Sequence, residues 1–240
     1  MLNKNITTKK EKGEYTVLTM LNTNARSLCP KVKSLIDCVD EMEAGFAVVT
    51  ETWLADGPTL QDDTQDLELG VGLPIIHKNM KACANGVTYG GVVIIYRKDT
   101  CNFKEIKFEN RANFEVVVAV GAMQGHARKL AVVGCYIPPN YTGQKSGECL
   151  QYIADIVAEI KRTNKDPYIV VSGDVNQWDL TMALEEYPDL VESAAGPTRG
   201  TRTNDRTFTN FENVFEVGTV LPLQTEGQGS DLKHSDHKVC

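Results

Sequence analysis

Gly91-Val-Val-Ile-Ile-Tyr96, Phe114-Glu-Val-Val-Val-Ala-Val120 and Leu130-Ala-Val-Val-Gly-Cys-Tyr136 are each bounded by polar or glycine-containing turns. Short β-branched runs bounded in this way read as strands, and the block from Val87 to Tyr136 is strand after strand. Working outward, Tyr15 to Leu21, Phe46 to Thr50 and Tyr168 to Val171 have the same character. Weaker strands are expected over Phe103 to Phe108, Thr207 to Thr209 and Val214 to Val217. Helices are fewer. Val32, Leu35, Ile36, Val39 and Met42 recur at helical spacing behind Pro30. Leu150, Ile153, Ile156, Val157 and Ile160 form a second face ended by Asn164 and Pro167. Asp179 to Tyr187 reads as a short third helix. This mixture predicts two packed sheets covered by helices rather than one doubly wound parallel sheet.

The chain has 240 residues, 42% of them hydrophobic and 24% charged, ordinary values for a folded protein with a sizeable core. No apolar run approaches the roughly 20 residues of a membrane-spanning helix, and the polar, Lys-rich start has no apolar segment of a secretory signal. Residues 1–14 are expected as a flexible arm, residues 15–240 as one domain, and Ala55 to Val71 as a surface loop. The seven cysteines are scattered without a C-x-x-C pair, which argues against a zinc site or a disulfide framework and for a reducing, intracellular setting. The net charge of −7 confines any contact with nucleic acid to a local basic patch. Arg199, Arg202 and Arg206 are the candidate patch, with a solvated loop as the alternative.

Several polar residues stand at strand ends. Glu51 ends Phe46-Ala-Val-Val-Thr-Glu, a common way to present a metal ligand, or simply a solvated acid. Asp174 and Asn176 follow Tyr168-Ile-Val-Val-Ser-Gly173. Gly173 allows a sharp turn, and the two side chains either share one face or form an Asx turn. Asn22 and Asn24 alternate off the first strand toward one face. Asp205 could orient a histidine or be a surface acid among arginines. Tyr136 could point its phenol into a cleft or lie in the core. His237, in Ser235-Asp236-His237, could exchange a proton near pH 7 if a carboxylate holds it, or be a frayed-end residue. His77, His126 and His234 have no comparable company.

Asn22-Thr-Asn-Ala-Arg-Ser-Leu28, Thr50-Glu-Thr-Trp-Leu54, Tyr136-Ile-Pro-Pro139, Gly173-Asp-Val-Asn176, Asp205-Arg-Thr-Phe-Thr-Asn210 and Ser235-Asp-His237 occur together in order. In this the chain, from Tyr15 on, resembles the apurinic/apyrimidinic-like endonuclease domain of non-LTR (LINE-type) retrotransposons, of the endonuclease/exonuclease/phosphatase superfamily. The resemblance implies an α/β fold, a four-layer sandwich of two central mixed sheets flanked by helices. It implies a magnesium-dependent endonuclease, with manganese as an alternative ion, that nicks one strand of double-stranded DNA and leaves a 3′-hydroxyl. Glu51 would be the principal metal ligand, with Asn24 and Asp236 near the ion. Asp174 would activate water, while Asn176, Asn22 and Ser235 hold phosphate. Asp205 would orient His237, and Tyr136 would be a phosphate-side donor. A monomer acting in the nucleus is implied, with a reverse transcriptase in the same chain of a full-length element.

The pattern is not complete. Asn24 stands where repair enzymes place a carboxylate, and Pro139 where an asparagine is usual, with Asn140 one residue late. Val175 replaces the more usual Phe. Asn204 replaces an apolar residue before Asp205, an expected source of looseness. The chain stops three residues after His237, so the strand expected to hold it looks truncated. These departures, with the acidic net charge, keep a second reading open: an inactive retroelement relic or DNA-binding module that retains the fold.

Overall fold

The computed structural model describes residues 4–9, 15–54, 73–78, 89–108, 114–193 and 203–211. In chain order the elements are β1 (Lys4–Lys9), β2 (Tyr15–Asn24), a 3-10 turn (Cys29–Lys31), α1 (Val32–Glu41), β3 (Phe46–Thr50), β4 (Ile75–Lys78), β5 (Val92–Tyr96), β6 (Cys101–Glu105), β7 (Glu115–Met123), β8 (Lys129–Tyr136), α2 (Gly143–Thr163), β9 (Tyr168–Asp174), α3 (Leu180–Ala183), β10 (Val191–Glu192) and β11 (Asp205–Thr209). They build a five-stranded sheet, β1-β2-β3-β5-β4, and a six-stranded sheet, β10-β11-β9-β8-β7-β6. Both are mixed. Each contains one parallel pair, β2 with β3 and β8 with β9, and these are the pairs joined through α1 and α2.

Side-chain parity turns the two sheets into four layers. Along β3, Phe46 and Val48 face the other sheet while Ala47 and Val49 face α1, where Leu35 and Val39 are buried. Along β7, Val117 and Ala119 face inward while Val116, Val118 and Val120 meet Ile153, Ile156, Val157 and Ile160 of α2. Strands buried on both faces must be apolar throughout, which is why these runs do not alternate with polar residues. Each fully buried Val or Ile contributes roughly 1.5–3 kcal/mol of transfer free energy. Thr142 caps the start of α2 by accepting from the Lys145 N–H, and Asn164 at its end donates to the Ile160 carbonyl. The four-layer sandwich expected from the sequence is therefore the observed architecture.

Some expectations are corrected. Lys4–Lys9, placed in a flexible arm, pair antiparallel with β2; Ile6, Thr7 and Thr8 are β-branched, and an edge strand offers their backbone a ladder. β4 and β10 were not anticipated because both are too short to show a pattern. The third helix shrinks to Leu180–Ala183; Tyr187 before Pro188 is disfavoured in helical geometry, and the chain turns from Leu184 on, with the Tyr187 N–H donating to the Leu184 carbonyl. Gly173 does not turn the chain. It stays in β9, where a Cβ would lie 1.8 Å from the Cys135 carbonyl oxygen, so glycine is required by close approach of two backbones. Ala55 to Val71 and the strand expected over Val214 to Val217 lie outside the described residues. Among the described residues no helix is long and apolar enough to cross a membrane.

Candidate active site

The inter-sheet layer is apolar for most of its length and becomes polar at one end. The period of two decides which residues line that end. Leu18 and Met20 face the layer, so Asn22 and Asn24 follow them; Val170 faces it, so Ser172 and Asp174 do too. Leu130 and Val132 lead in the same way to Tyr136. On β11, Phe208 packs toward the helices, which turns Asp205 and Thr207 to the inter-sheet side. Ser172 and Thr207 share a hydrogen bond of 2.7 Å there, and Asp205 stands in register with Asp174.

Polar contacts across the sheets close this mouth. Asn24 Nδ2 donates to Asp174 Oδ2 at 2.8 Å, Tyr136 Oη donates to Glu51 Oε1 at 2.9 Å, and Asn22 Nδ2 reaches the Arg206 carbonyl at 3.5 Å. The Gly91 N–H donates to Glu115 Oε2. Asp174 is wholly buried, and its other oxygen accepts from the Asn176 N–H at 2.9 Å, the Asx turn left open as an alternative. The asparagine side chain of that turn is itself held. Asn176 Nδ2 donates to the Ile137 carbonyl and Oδ1 accepts from Asn204 Nδ2, while the Asn204 carbonyl accepts from the Val175 N–H. Asn204 therefore fastens the β9 end to β11 rather than loosening it, because an amide offers both donor and acceptor there.

The turn after β3 is built differently. Glu51 and Trp53 both have positive φ, 49° and 55°, a conformation unfavourable for residues with a Cβ unless the surroundings impose it. On one side the Ser27 and Leu28 N–H groups donate to the carbonyls of Glu51 and Thr52. On the other, the Thr52 and Trp53 N–H groups donate to the carbonyls of Gly91 and Gly90. The 25–28 loop has its own positive-φ residues, Arg26 and Ser27. It is gathered by the buried Lys31 ammonium, which donates to the carbonyls of Ala25, of Arg26 at 2.8 Å and of Ser27 at 3.4 Å.

Electrostatics separates the groups. Burial, and after it the charges of Glu51 and Asp174, push the Tyr136 phenol well above its ordinary pKa, so it stays protonated. Its single O–H proton goes to Glu51, so it orients that carboxylate rather than standing free as the expected phosphate donor. Glu115 is pushed up to about 8, chiefly by burial, with the Glu51 charge adding and the Gly91 N–H opposing.

For the ion implied by the resemblance, the donor chemistry fits. Glu51 is half-buried and keeps Oε2 open, and Asn22 Oδ1 is buried without a hydrogen-bond partner among the described residues. Both are hard oxygen donors of the kind magnesium takes, in small number beside its waters. Asn24 is less open: its nitrogen is given to Asp174 and its oxygen accepts from the Arg26 N–H. Among the described residues no three His, Cys, Asp or Glu side chains gather around one point.

The structure thus brings Asn22, Asn24, Glu51, Tyr136, Asp174, Asn176 and Asp205 to one end of the sandwich. Arg206 points to the opposite face of β11, near Asp179 and Glu192 at 3.4 and 3.5 Å. Ser235, Asp236, His237, Arg199 and Arg202 lie outside the described residues. Sequence reading missed Lys31, Glu115 and the Gly90-Gly91 pair. An acid inside the run Phe114 to Val120 was the one available signal.

The fold is that of the endonuclease/exonuclease/phosphatase proteins. It is similar to a humanized D. rerio TDP2 carrying 14 mutations, with a TM-score of 0.62 at 15% identity, covering 92% of this chain and 96% of that one. The endonuclease domain of TRAS1, a telomere-specific non-LTR retrotransposon, aligns with a TM-score of 0.58 at 16% identity, over 92% and 94% of the two chains. A mannosyl-6-phosphatase from Bacteroides thetaiotaomicron aligns with a TM-score of 0.63 at 12% identity, over 92% and 97%. No protein-family model matches the sequence, and no curated protein matches it either.

Proposed function

We propose that the chain is a metal-dependent endonuclease that nicks one strand of duplex DNA and leaves a 3′-hydroxyl, in the manner that primes reverse transcription of a retrotransposon. The observation that carries the reading is the meeting of Glu51 and Asp174, delivered by different sheets, around one phenol and a set of amides. Asp174 accepts from Asn24 and from the Asn176 N–H, which holds it as an oriented carboxylate to receive a water proton. As that water bonds to phosphorus, the bond from phosphorus to the 3′ oxygen breaks and the oxygen leaves with the electron pair, taking a proton from solvent. The remaining N–H of Asn176 is available to position phosphate, and the unsatisfied oxygen of Asn22 to accept from a water. Tyr136 fixes the carboxylate of Glu51. Asp205, in register with Asp174, would orient His237 against the phosphate. A magnesium ion held by Glu51, with Asn24 and Asp236 nearby, would supply neutralisation of the charge that develops on phosphate.

Incubated with Mg²⁺, the protein is expected to convert supercoiled plasmid to open circles, and Asp174→Ala or His237→Ala is expected to abolish the conversion. Equal inertness of wild type and Asp174→Ala in Mg²⁺ and Mn²⁺ would sink the reading. It would leave the second reading, an inactive relic or DNA-binding module that retains the fold. Hydrolysis of a phosphomonoester without plasmid nicking would point instead to a phosphatase.

A further inference from the structure

Glu115 is 1% exposed, sits in β7 opposite Tyr136 in register, and shares the inter-sheet face of Val117 and Ala119. Its side chain leaves the six-stranded sheet and crosses to the other, where it takes the Gly91 N–H just before β5 begins. No apolar residue could occupy this position without leaving that N–H buried and unpaired. The Gly90-Gly91 turn is shaped around the carboxyl group. Both glycines have positive φ, 86° and 90°, and a Cβ on Gly90 would lie within 2.4–2.7 Å of the Glu115 carboxyl atoms. The outward carbonyls of the same two glycines accept the N–H groups of Trp53, at 2.8 Å, and of Thr52, at 3.4 Å. A continuous chain therefore runs from Glu115 through the Gly90-Gly91 turn to the peptides that hold Glu51 at positive φ.

We propose that Glu115 is a positioning residue for the candidate active site, acting as a hydrogen-bond acceptor that fixes the Gly90-Gly91 turn and through it the left-handed backbone of Glu51. The inference rests on Glu51 carrying the chemistry described above. What matters is the acceptor and its reach, not a negative charge, and the carboxyl's raised pKa agrees with a group held mainly neutral at pH 7. Glutamine, with an acceptor at the same length of side chain, should substitute. Leucine fills similar space and offers none.

Two measurements on the full chain separate this role from general destabilisation. Amide exchange followed by NMR in folded Glu115→Leu should speed at Gly91, Thr52 and Trp53 by at least about 30-fold through local opening, while Val175 at the β9 end keeps its wild-type rate. In plasmid nicking, kcat should fall about 100-fold with KM for DNA little changed, since misplacing a reacting group by about 1 Å costs that much. Glu115→Gln should return both readouts to within a few-fold of wild type. Wild-type exchange at Thr52 and Trp53 in Glu115→Leu, or a Gln variant as damaged as the Leu one, would overturn the proposal. Should Glu115→Leu fail to fold, unprotected Thr52 and Trp53 amides in wild type would overturn it, and protected ones with a competent Gln variant would support it. Exchange does not depend on turnover, so a protein that never nicks DNA would refute the proposed function while still testing the role of Glu115.

Discussion

The strand ends that deliver Glu51 and Asp174 look alike in sequence, each an apolar run closed by an acid, yet they are built in opposite ways. The end of β9 holds much of itself: Asp174 caps the N–H of Asn176 two residues on, and the positive φ of Asn176, 51°, belongs to that local turn. The end of β3 holds nothing of its own. Its peptides are gripped by residues 25–28 on one side and Gly90-Gly91 on the other. The carboxylates differ to match. Asp174 is wholly buried with both oxygens engaged, whereas Glu51 is half-buried with one oxygen given to Tyr136. One acid is fixed by its neighbours before it acts, and the other is offered more openly to whatever enters.

The largest effect should come from the β9 side. Gly173→Ala would set a Cβ 1.8 Å from the Cys135 carbonyl oxygen. Because neither backbone can yield without opening the β8–β9 ladder, a loss of more than about 4 kcal/mol is expected in chemical denaturation. Next, Asp174→Ala should lower stability by about 2–4 kcal/mol, since the Asn24 amide and the Asn176 N–H would both be left buried and unpaired. Glu51→Gln, which keeps an acceptor for Tyr136, should change it by less than about 1 kcal/mol. Both should stop nicking. Equal loss of stability in the two variants would erase the distinction between the ends. Tyr136→Phe removes one hydrogen bond across the sheets and should cost about 1 kcal/mol, with a drop in nicking that leaves plasmid affinity intact. The last effect is one of pH. Glu115 holds its proton up to about 8 in the folded chain and releases it near 4.5 when unfolded. The folded state therefore binds more protons between these values, so this contribution is full below about 4.5 and is lost as pH rises through about 8. Thermal melts across that window should show the decline in wild type and a flatter profile in Glu115→Gln.

The same contrast explains what the sequence discloses. Phe46 to Thr50 and Gly91 to Tyr96 are legible as strands because burial on both faces demands unbroken apolar runs. Asp174-Val-Asn176 is legible as a polar turn because its contacts are partly local. The packing of α1 and α2 follows from helical spacing for the same reason. Glu115 and Lys31 were overlooked because their partners lie far off in the chain or are backbone groups, which leave no mark in residue types. Asn204 was misjudged as a weak point because its value lies in the Asn176 side chain it meets. The short strands β4 and β10 depend on neighbours already in place.

All the described strands of the first sheet precede those of the second, and the passage between them runs through Arg97 to Thr100. Asn22, Asn24 and Glu51 belong to the first half of that division; Glu115, Tyr136, Asp174, Asn176 and Asp205 belong to the second. A cut in that passage would give two fragments, each bearing part of the constellation and parted from the partners its polar groups find across the sheets. Any activity recovered on mixing the fragments would therefore report their association, making the chain a natural candidate for a split reporter.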